Sequence, residues 1–251
     1  MVVTGANEGI GYHLLSALVD DGYRVAGFDV DVGNLRSLAE GRPDRIRYFE
    51  CDVTSDEDVE TAVAGVIEEW GRIDILVNNA AIFHFGLFAD RPPEDTRAEF
   101  EVNFFGYERM TRAVLPHMRA RGSGVVHNVS SGAGLVGNPG LTGYAATKGA
   151  VDSFTRSLRL ELQDEDVHCT RVYPPLTNTR SAARLDYPDL GTQEPAAVGR
   201  KLASKIESTR PAIYADWSVR VGLWVAGRVP FLVKRGTRRF LDGTSGRDPP
   251  Q

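Results

Sequence analysis

Short, nearly continuous apolar runs alternate with longer stretches of helical period along most of this chain, and no other feature restricts its fold as much. The runs are YRVAGFDV (23–30), IRYFECDV (46–53), IDILVNNAA (73–81), GVVHNVSS (124–131) and VHCTRVYPP (167–175). Around them lie YHLLSALVDDG, with Leu14, Leu15, Leu18 and Val19 at helical spacing, then DEDVETAVAGVIEEWG (56–71), a pattern from about Arg97 to Arg119, and YAATKGAVDSFTRSLRLELQ (144–163). A run as apolar as IDILVNNAA suits a strand buried on both faces. The alternation predicts an α/β fold, a doubly wound parallel sheet with helices on both faces. No internal repeat or low-complexity linker interrupts it, so residues 1–251 read as a single domain.

Ahead of the first helical stretch sits TGANEGIG, Thr4 to Gly11, preceded by Val2 and Val3 as the end of a strand. In a parallel sheet ligands lie beyond the carboxyl ends of the strands, which is where this turn falls. Gly5 suits a tight turn, Gly9 the close approach of a pyrophosphate to the backbone, and Gly11 the close packing of helix on sheet. The unpaired N–H groups at the helix start favour a phosphate. Taken alone, the motif is also compatible with a glycine-rich turn that binds nothing. A first strand of three residues is short for the middle of a sheet, so the natural start is expected upstream.

The composition, 42% apolar over 251 residues, is that of an ordinary globular chain. A net charge of −5 gives no global reason to expect nucleic acid. Cys51 and Cys169 are far apart in apolar contexts, as buried thiols of a reducing compartment would be, rather than a disulfide framework. His13, His117, His127 and His168 show no metal-ligand spacing, and His84 reads as a solvated or packed loop residue without a partner nearby. No stretch approaches a membrane span and no signal peptide is evident, so a cytoplasmic location is expected.

TGANEGIG, CDV, NNAA, the VN of residues 102–103, VSSGAG and YAATK occur in the order and approximate spacing of the short-chain dehydrogenase/reductase family, which this chain resembles over roughly residues 1–180. The resemblance implies a Rossmann-type fold, a nicotinamide cofactor and an Asn-Ser-Tyr-Lys active site, whose matching positions are Asn103, Ser131, Tyr144 and Lys148. Ser131 is preferred to Ser130 because it lies thirteen residues before Tyr144, the family's common interval. The residue types suit the chemistry. Moving a hydride to or from carbon requires a proton to move to or from oxygen, and a phenol near pKa ~10 needs a nearby cation to act as a base at neutral pH. Tyr144 and Lys148, four apart on a predicted helix, share a face, so Lys148 can favour the phenolate and hold a ribose hydroxyl. Ser131 would stabilise charge on the substrate oxygen. Asn103, by resemblance, would hold a helix irregularity and a water that passes the proton onward.

Asp29, near the end of the second strand, is placed to accept hydrogen bonds from ribose hydroxyls and to repel a 2′-phosphate. Glu8 stands where NADP-preferring relatives often carry a basic residue, so NAD is expected over NADP, although Arg36 is close enough in sequence to reach in. Asp52 and Val53 are expected to flank the adenine, and Asn79 and Ala80 the ribose side. The resemblance further assigns Asn7, Ile10, Pro174, Thr177 and Thr179 to the cofactor surface. In YPPLTNT (173–179) Pro175 replaces the family's usual glycine, which fixes φ and removes an N–H, and Thr177 replaces an apolar residue.

The substrate pocket is expected among AAIFHFGLF (80–88), Leu135, Val136, Leu141 and a substrate loop region at 176–214, mostly apolar or aromatic, which favours an alcohol or ketone with an apolar body. The segment 217–247 carries Arg220, Arg228, Lys234, Arg235, Arg238, Arg239 and Arg247 against Asp242, interleaved with aromatic and aliphatic residues. It reads as a C-terminal helix packed on its own domain or a neighbouring subunit, in preference to a basic amphipathic segment lying on an anionic membrane. The resemblance implies a homodimer or homotetramer with the helices around Asn103 and Tyr144 at one interface. An NAD-dependent alcohol dehydrogenase or ketone reductase is the leading expectation; a dinucleotide sensor with little turnover and a membrane-recruited scaffold are the alternatives.

Overall fold

The computed structural model describes residues 1–179 and 192–228. In chain order the elements are β1 (Val2–Thr4), α1 (Gly9–Asp20), β2 (Val25–Asp29), α2 (Gly33–Glu40), β3 (Ile46–Glu50), α3 (Asp56–Trp70) and β4 (Ile75–Asn78). Then follow α4 (Pro93–Phe100), a π-helical turn (Glu101–Phe105), α5 (Gly106–Arg121), β5 (Gly124–Val129), α6 (Ala133–Val136), α7 (Thr142–Glu161), β6 (Val167–Tyr173), α8 (Pro195–Ala203), β7 (Ala212–Tyr214) and α9 (Trp217–Arg228). The strands form one sheet in the order β3-β2-β1-β4-β5-β6-β7, every pair parallel. The short β1 is completely buried and pairs on both edges, Val2 with Ala26 and Leu76, Val3 with Gly27 and Val77.

Alternation along each strand divides the core into two layers, because successive side chains point to opposite faces. Val3, Val25, Ile75 and Val77 join Leu14, Leu15 and Leu18 of α1 and Val198 and Leu202 of α8 on one face. Val2, Ala26, Phe28, Leu76 and Val126 join Val59 and Val66 of α3, Met110 and Val114 of α5 and Leu158 of α7 on the other. Local signals agree with these ends: Ser55 accepts the Asp58 N–H at the start of α3, Asp56, Glu57 and Asp58 suit the positive end of its dipole, and Gly71 closes it with φ 71°.

One expectation changes. The long helical pattern from Arg97 to Arg119 is two helices joined by the π-helical turn. Of the 176–214 stretch, read as a substrate loop region, the described residues include α8 and β7, which pack away from any loop. α8 packs against α1 so closely that a Cβ on Gly199 would lie 2.6 Å from the backbone of His13, and β7 extends the sheet. Ile206, Ile213 and Ala215 belong to the core with it. Residues 180–191 of that stretch, and 229–247 of the basic segment, lie outside the described residues.

Candidate active site

The strand order reverses between β1 and β4, and there, above the carboxyl ends, a groove of about 1290 Å³ opens. Its floor is the glycine turn. Gly5 and Gly9 have φ of 62° and 59°, a region that disfavours any side chain. A Cβ on Gly5 would sit 2.7 Å from the Ala80 Cα, and one on Gly11 would collide with the Gly5 carbonyl oxygen. A Cβ on Gly9 would meet only the Thr179 side chain, at 3.4 Å, so the protein itself does not fill that position. Such a cradle leaves backbone exposed at the start of α1 and fits a pyrophosphate.

Of the residues read as cofactor ligands, Gly5, Glu8, Gly9, Ile10, Asp29, Asp52, Val53, Asn79, Ala80, Tyr144, Lys148, Pro174, Thr177 and Thr179 line this groove; Asn7 and Gly11 do not. Asn7 is buried and tied to the neighbouring turn instead: its N–H donates to Asp29 Oδ2 at 2.8 Å, and its Oδ1 accepts the N–H groups of Asn34 and Leu35 at 2.9 and 3.1 Å. It therefore sets the height of the loop against α2. Gly11 acts through packing. Asn79 joins β4 to the turn, its Nδ2 donating to the carbonyls of Thr4 and Gly5 at 3.0 Å each. Thr4, missed in the sequence, completes that joint by accepting the N–H groups of Asn79 and Ala80 on its hydroxyl, 3.0 Å each.

At the β2 end, burial raises the Asp29 carboxyl pKa, against the lowering effect of the N–H groups of Asn7, Asp31 and Val30; Glu8 raises it further. Arg36 stacks over Tyr48, 6.0 Å from its centroid, and does not line the groove. Lys148 is the only lysine or arginine among the described lining residues. At the β3 end, Asp52 Oδ1 accepts the N–H and hydroxyl of Thr54 at 2.8 Å each.

The opposite half of the groove brings Ser131, Tyr144 and Lys148 together. Tyr144 and Lys148 lie on successive turns of α7, with the ammonium 5.6 Å from the Tyr144 ring centroid. The Ser131 hydroxyl faces that of Tyr144 closely enough to lower its pKa, and it accepts the Ala133 N–H at 3.2 Å. Ser130 is buried behind it, its hydroxyl directed at the Lys148 carbonyl at 3.4 Å. Burial raises the Tyr144 phenol pKa; Ser131 lowers it and the Glu99 charge raises it. Burial drives Lys148 down to about 7, opposed by the Asp152 carboxylate. Lys148 Nζ donates to the Val129 carbonyl at 2.9 Å and to the Tyr107 hydroxyl at 3.1 Å. Tyr107, buried on α5, carried no sequence signal beyond an apolar helix position.

Asn103 is fully buried in the π-helical turn and does not line the groove. Its amide makes a two-way bond with the Ile82 backbone, 2.8 Å in each direction, and donates to Thr147 Oγ1 at 3.2 Å. The loop after β4 and α7 are thus held to one side chain. Next to it, Glu99 of α4 has no solvent exposure, pairs with Arg91 at 3.0 Å and accepts the His84 N–H at 2.7 Å. His84, expected to be without a partner, has its ring within 4.0 Å of Asp95 and 3.8 Å of Glu99. Gly143 leaves room for this cluster, since a Cβ there would strike Glu99. The far wall is Ser218, Val219, Gly222 and Leu223 of α9, with Leu176 and Gln193 beside them. Among the described residues no His, Cys, Asp and Glu cluster is arranged to hold a metal, and no helix is long and apolar enough to cross a membrane.

Residues 1–188 match the short chain dehydrogenase family. The 2-(R)-hydroxypropyl-CoM dehydrogenase of Xanthobacter autotrophicus is 35% identical over 208 residues, 80% of this chain and 83% of its own. A short-chain dehydrogenase from Streptomyces avermitilis superposes with a TM-score of 0.79 at 29% identity, covering 99% of this chain and 97% of that one. A 3-ketoacyl-(acyl-carrier-protein) reductase from Brucella melitensis, solved with NADH, gives 0.77 at 27% identity over 85% of this chain and 94% of its own.

Proposed function

Because this chain belongs to the short-chain dehydrogenase/reductase family, and so is an oxidoreductase, we propose that it interconverts a secondary alcohol and a ketone with an apolar body, using NAD in preference to NADP. The observation that carries this reading is the Ser131–Tyr144 hydroxyl pair, with Lys148 one turn on, at the edge of a groove whose floor is a glycine cradle. Complementarity supports the residues that would hold the cofactor: Gly9 at the start of α1 for the pyrophosphate, Asp29 for the ribose hydroxyls, and Asp52 and Val53 for the adenine. The nicotinamide, when bound, would supply or accept the hydride and, in its oxidised form, bring a positive charge.

The chain's own residues would then handle the proton. In reduction, Tyr144 gives its phenolic proton to the substrate oxygen while Ser131 hydrogen-bonds that oxygen; in oxidation, Tyr144 takes the proton back. Lys148 has three N–H donors, of which Val129 and Tyr107 take two, so the third is available to a ribose hydroxyl. Its charge favours the phenolate that burial opposes. Asn103 acts by position, holding Ile82 and α7 in register.

NAD preference is supported by the acids Glu8 and Asp29 on the adenosine side, and by the lack of any arginine among the described lining residues. The apolar substrate is supported by Ile82, Phe83, Leu141, Leu176 and Leu223 around the catalytic half. A homo-oligomer through α5 and α7 is supported by Phe105, beside α5, and Leu160, which are 42% and 68% exposed. A panel of secondary alcohols and ketones, steroids and retinoids included, followed by nicotinamide absorbance with each cofactor, tests the reading. Tyr144→Phe should lower kcat by about 10²- to 10⁴-fold and leave the Kd for NADH unchanged. Retained turnover would remove Tyr144 as the acid/base.

A further inference from the structure

α9 has two faces of opposite character. Val219, Gly222 and Leu223 turn inward to wall the groove, and Leu223 packs against Gly132 so closely that a Cβ there would lie 2.6 Å from its Cδ2. Trp217, Val221, Trp224 and Arg228 follow at intervals of four, three and four, which puts them on one stripe of the helix, turned away from the groove. Trp217 is 79% exposed, Val221 47% and Trp224 58%, and the Arg228 guanidinium stacks on the Trp224 ring at 4.4 Å. Arg220 flanks the stripe, and α9 has no acidic residue. A helix docked on its own domain buries its apolar residues; this one is docked by one face and still presents two tryptophans to water.

Charge is divided along the same line. Of the 29 Lys and Arg and the 34 Asp and Glu, residues 217–251 hold seven and two, so that part carries +5 and residues 1–216 carry −10. We propose that the outer face of α9 docks this chain on an anionic lipid surface. Indole rings favour the headgroup level of a bilayer, arginines beside them pair with lipid phosphates, and a helix of this kind lies in the interface rather than across it. The acidic body is repelled by the same surface, which leaves α9 as the point of approach. The opposite face of the docked helix walls the groove, so the groove would open next to the lipid. The docking surface is independent of the role given to Tyr144.

The full chain, mixed with phosphatidylcholine vesicles with and without phosphatidylglycerol, should sediment with the anionic vesicles only, with release at high salt. Trp217→Ser/Trp224→Ser should lower the partition coefficient at least about tenfold, as should Arg220→Glu/Arg228→Glu, with the melting temperature unchanged. Trp70 is retained in both variants, so the blue shift of tryptophan emission should vanish in the first at any lipid concentration, whereas in the second it should return when enough anionic vesicle is added to restore binding. Failure of the wild-type chain to sediment, or undiminished binding by both variants, would overturn the proposal. So would a smaller oligomer for the tryptophan variant by light scattering without vesicles, since a second copy of the chain would then be what covers the stripe.

Discussion

Tyr144 and Lys148 are displaced in opposite directions by the same cause. Burial penalises the charged form of each, raising the phenol and lowering the ammonium to about 7, so the ligand-free site tends toward two neutral groups. Glu99 adds to the phenol's displacement. Glu99→Gln removes that negative charge and leaves Arg91 positive, and both changes favour the phenolate. The limb of the pH–rate profile for alcohol oxidation that reports the phenol should move to lower pH. A profile identical to wild type would show that Glu99 acts only through packing. The same variant leaves the buried Arg91 guanidinium with Asp95, at 3.8 Å, as its remaining carboxylate and should cost up to about 3 kcal/mol of stability, readable in a urea titration. Asp29→Ala should raise the Kd for NAD more than that for NADP; equal losses would remove the charge argument for cofactor choice.

Between residues and the whole fold, the glycine turn divides its duties among three positions. Gly11 faces the Gly5 carbonyl, a backbone atom that has no rotamer to yield, so Gly11→Ala should destabilise the chain by about 1–3 kcal/mol. Gly9 faces the groove and has room for a Cβ, though its φ of 59° makes any side chain cost about 1–2 kcal/mol. Gly9→Ala should therefore lose dinucleotide affinity out of proportion to its loss of melting temperature, whereas Gly11→Ala should lose both. Parallel losses in the two variants would mean that Gly9 is a turn residue only. The π-helical turn between α4 and α5 is an equally local device: it carries Asn103 at a height where its amide oxygen accepts the Ile82 N–H and its amide nitrogen donates to the Ile82 carbonyl.

For the whole molecule, buried basic groups set the pH dependence of folding. His127, enclosed between Thr170 and the Ile206 carbonyl, is lowered to about 4, so in that range the unfolded chain binds more protons than the folded one. Stability contributed by His127 is thus present above its unfolded pKa of about 6.5 and lost as pH falls toward 4. Lys148 follows the same sign, and stability should rise from about 7 until about pH 8.5, where the thiols of Cys51 and Cys169, held up to about 12 by burial, begin to act with the opposite sign. Urea midpoints of the ligand-free protein should increase over both ranges, and Lys148→Met should flatten the alkaline one while abolishing activity. A wild-type midpoint independent of pH would contradict both assignments. Six of the strands, the parallel sheet and most of the groove's lining were legible because strand and helix periods, glycines and the Tyr-Lys interval are local properties of the chain. Tyr107, Glu99, Arg91, β7 and the inward face of α9 were not, since each is defined by a partner 8 to 91 residues away. The sequence by itself determined six strands, the alternation of strand and helix, and which backbone must stay bare. Only the tertiary structure decided which polar groups are removed from water and which charges face them there, because desolvation and Coulomb interaction depend on distance in space.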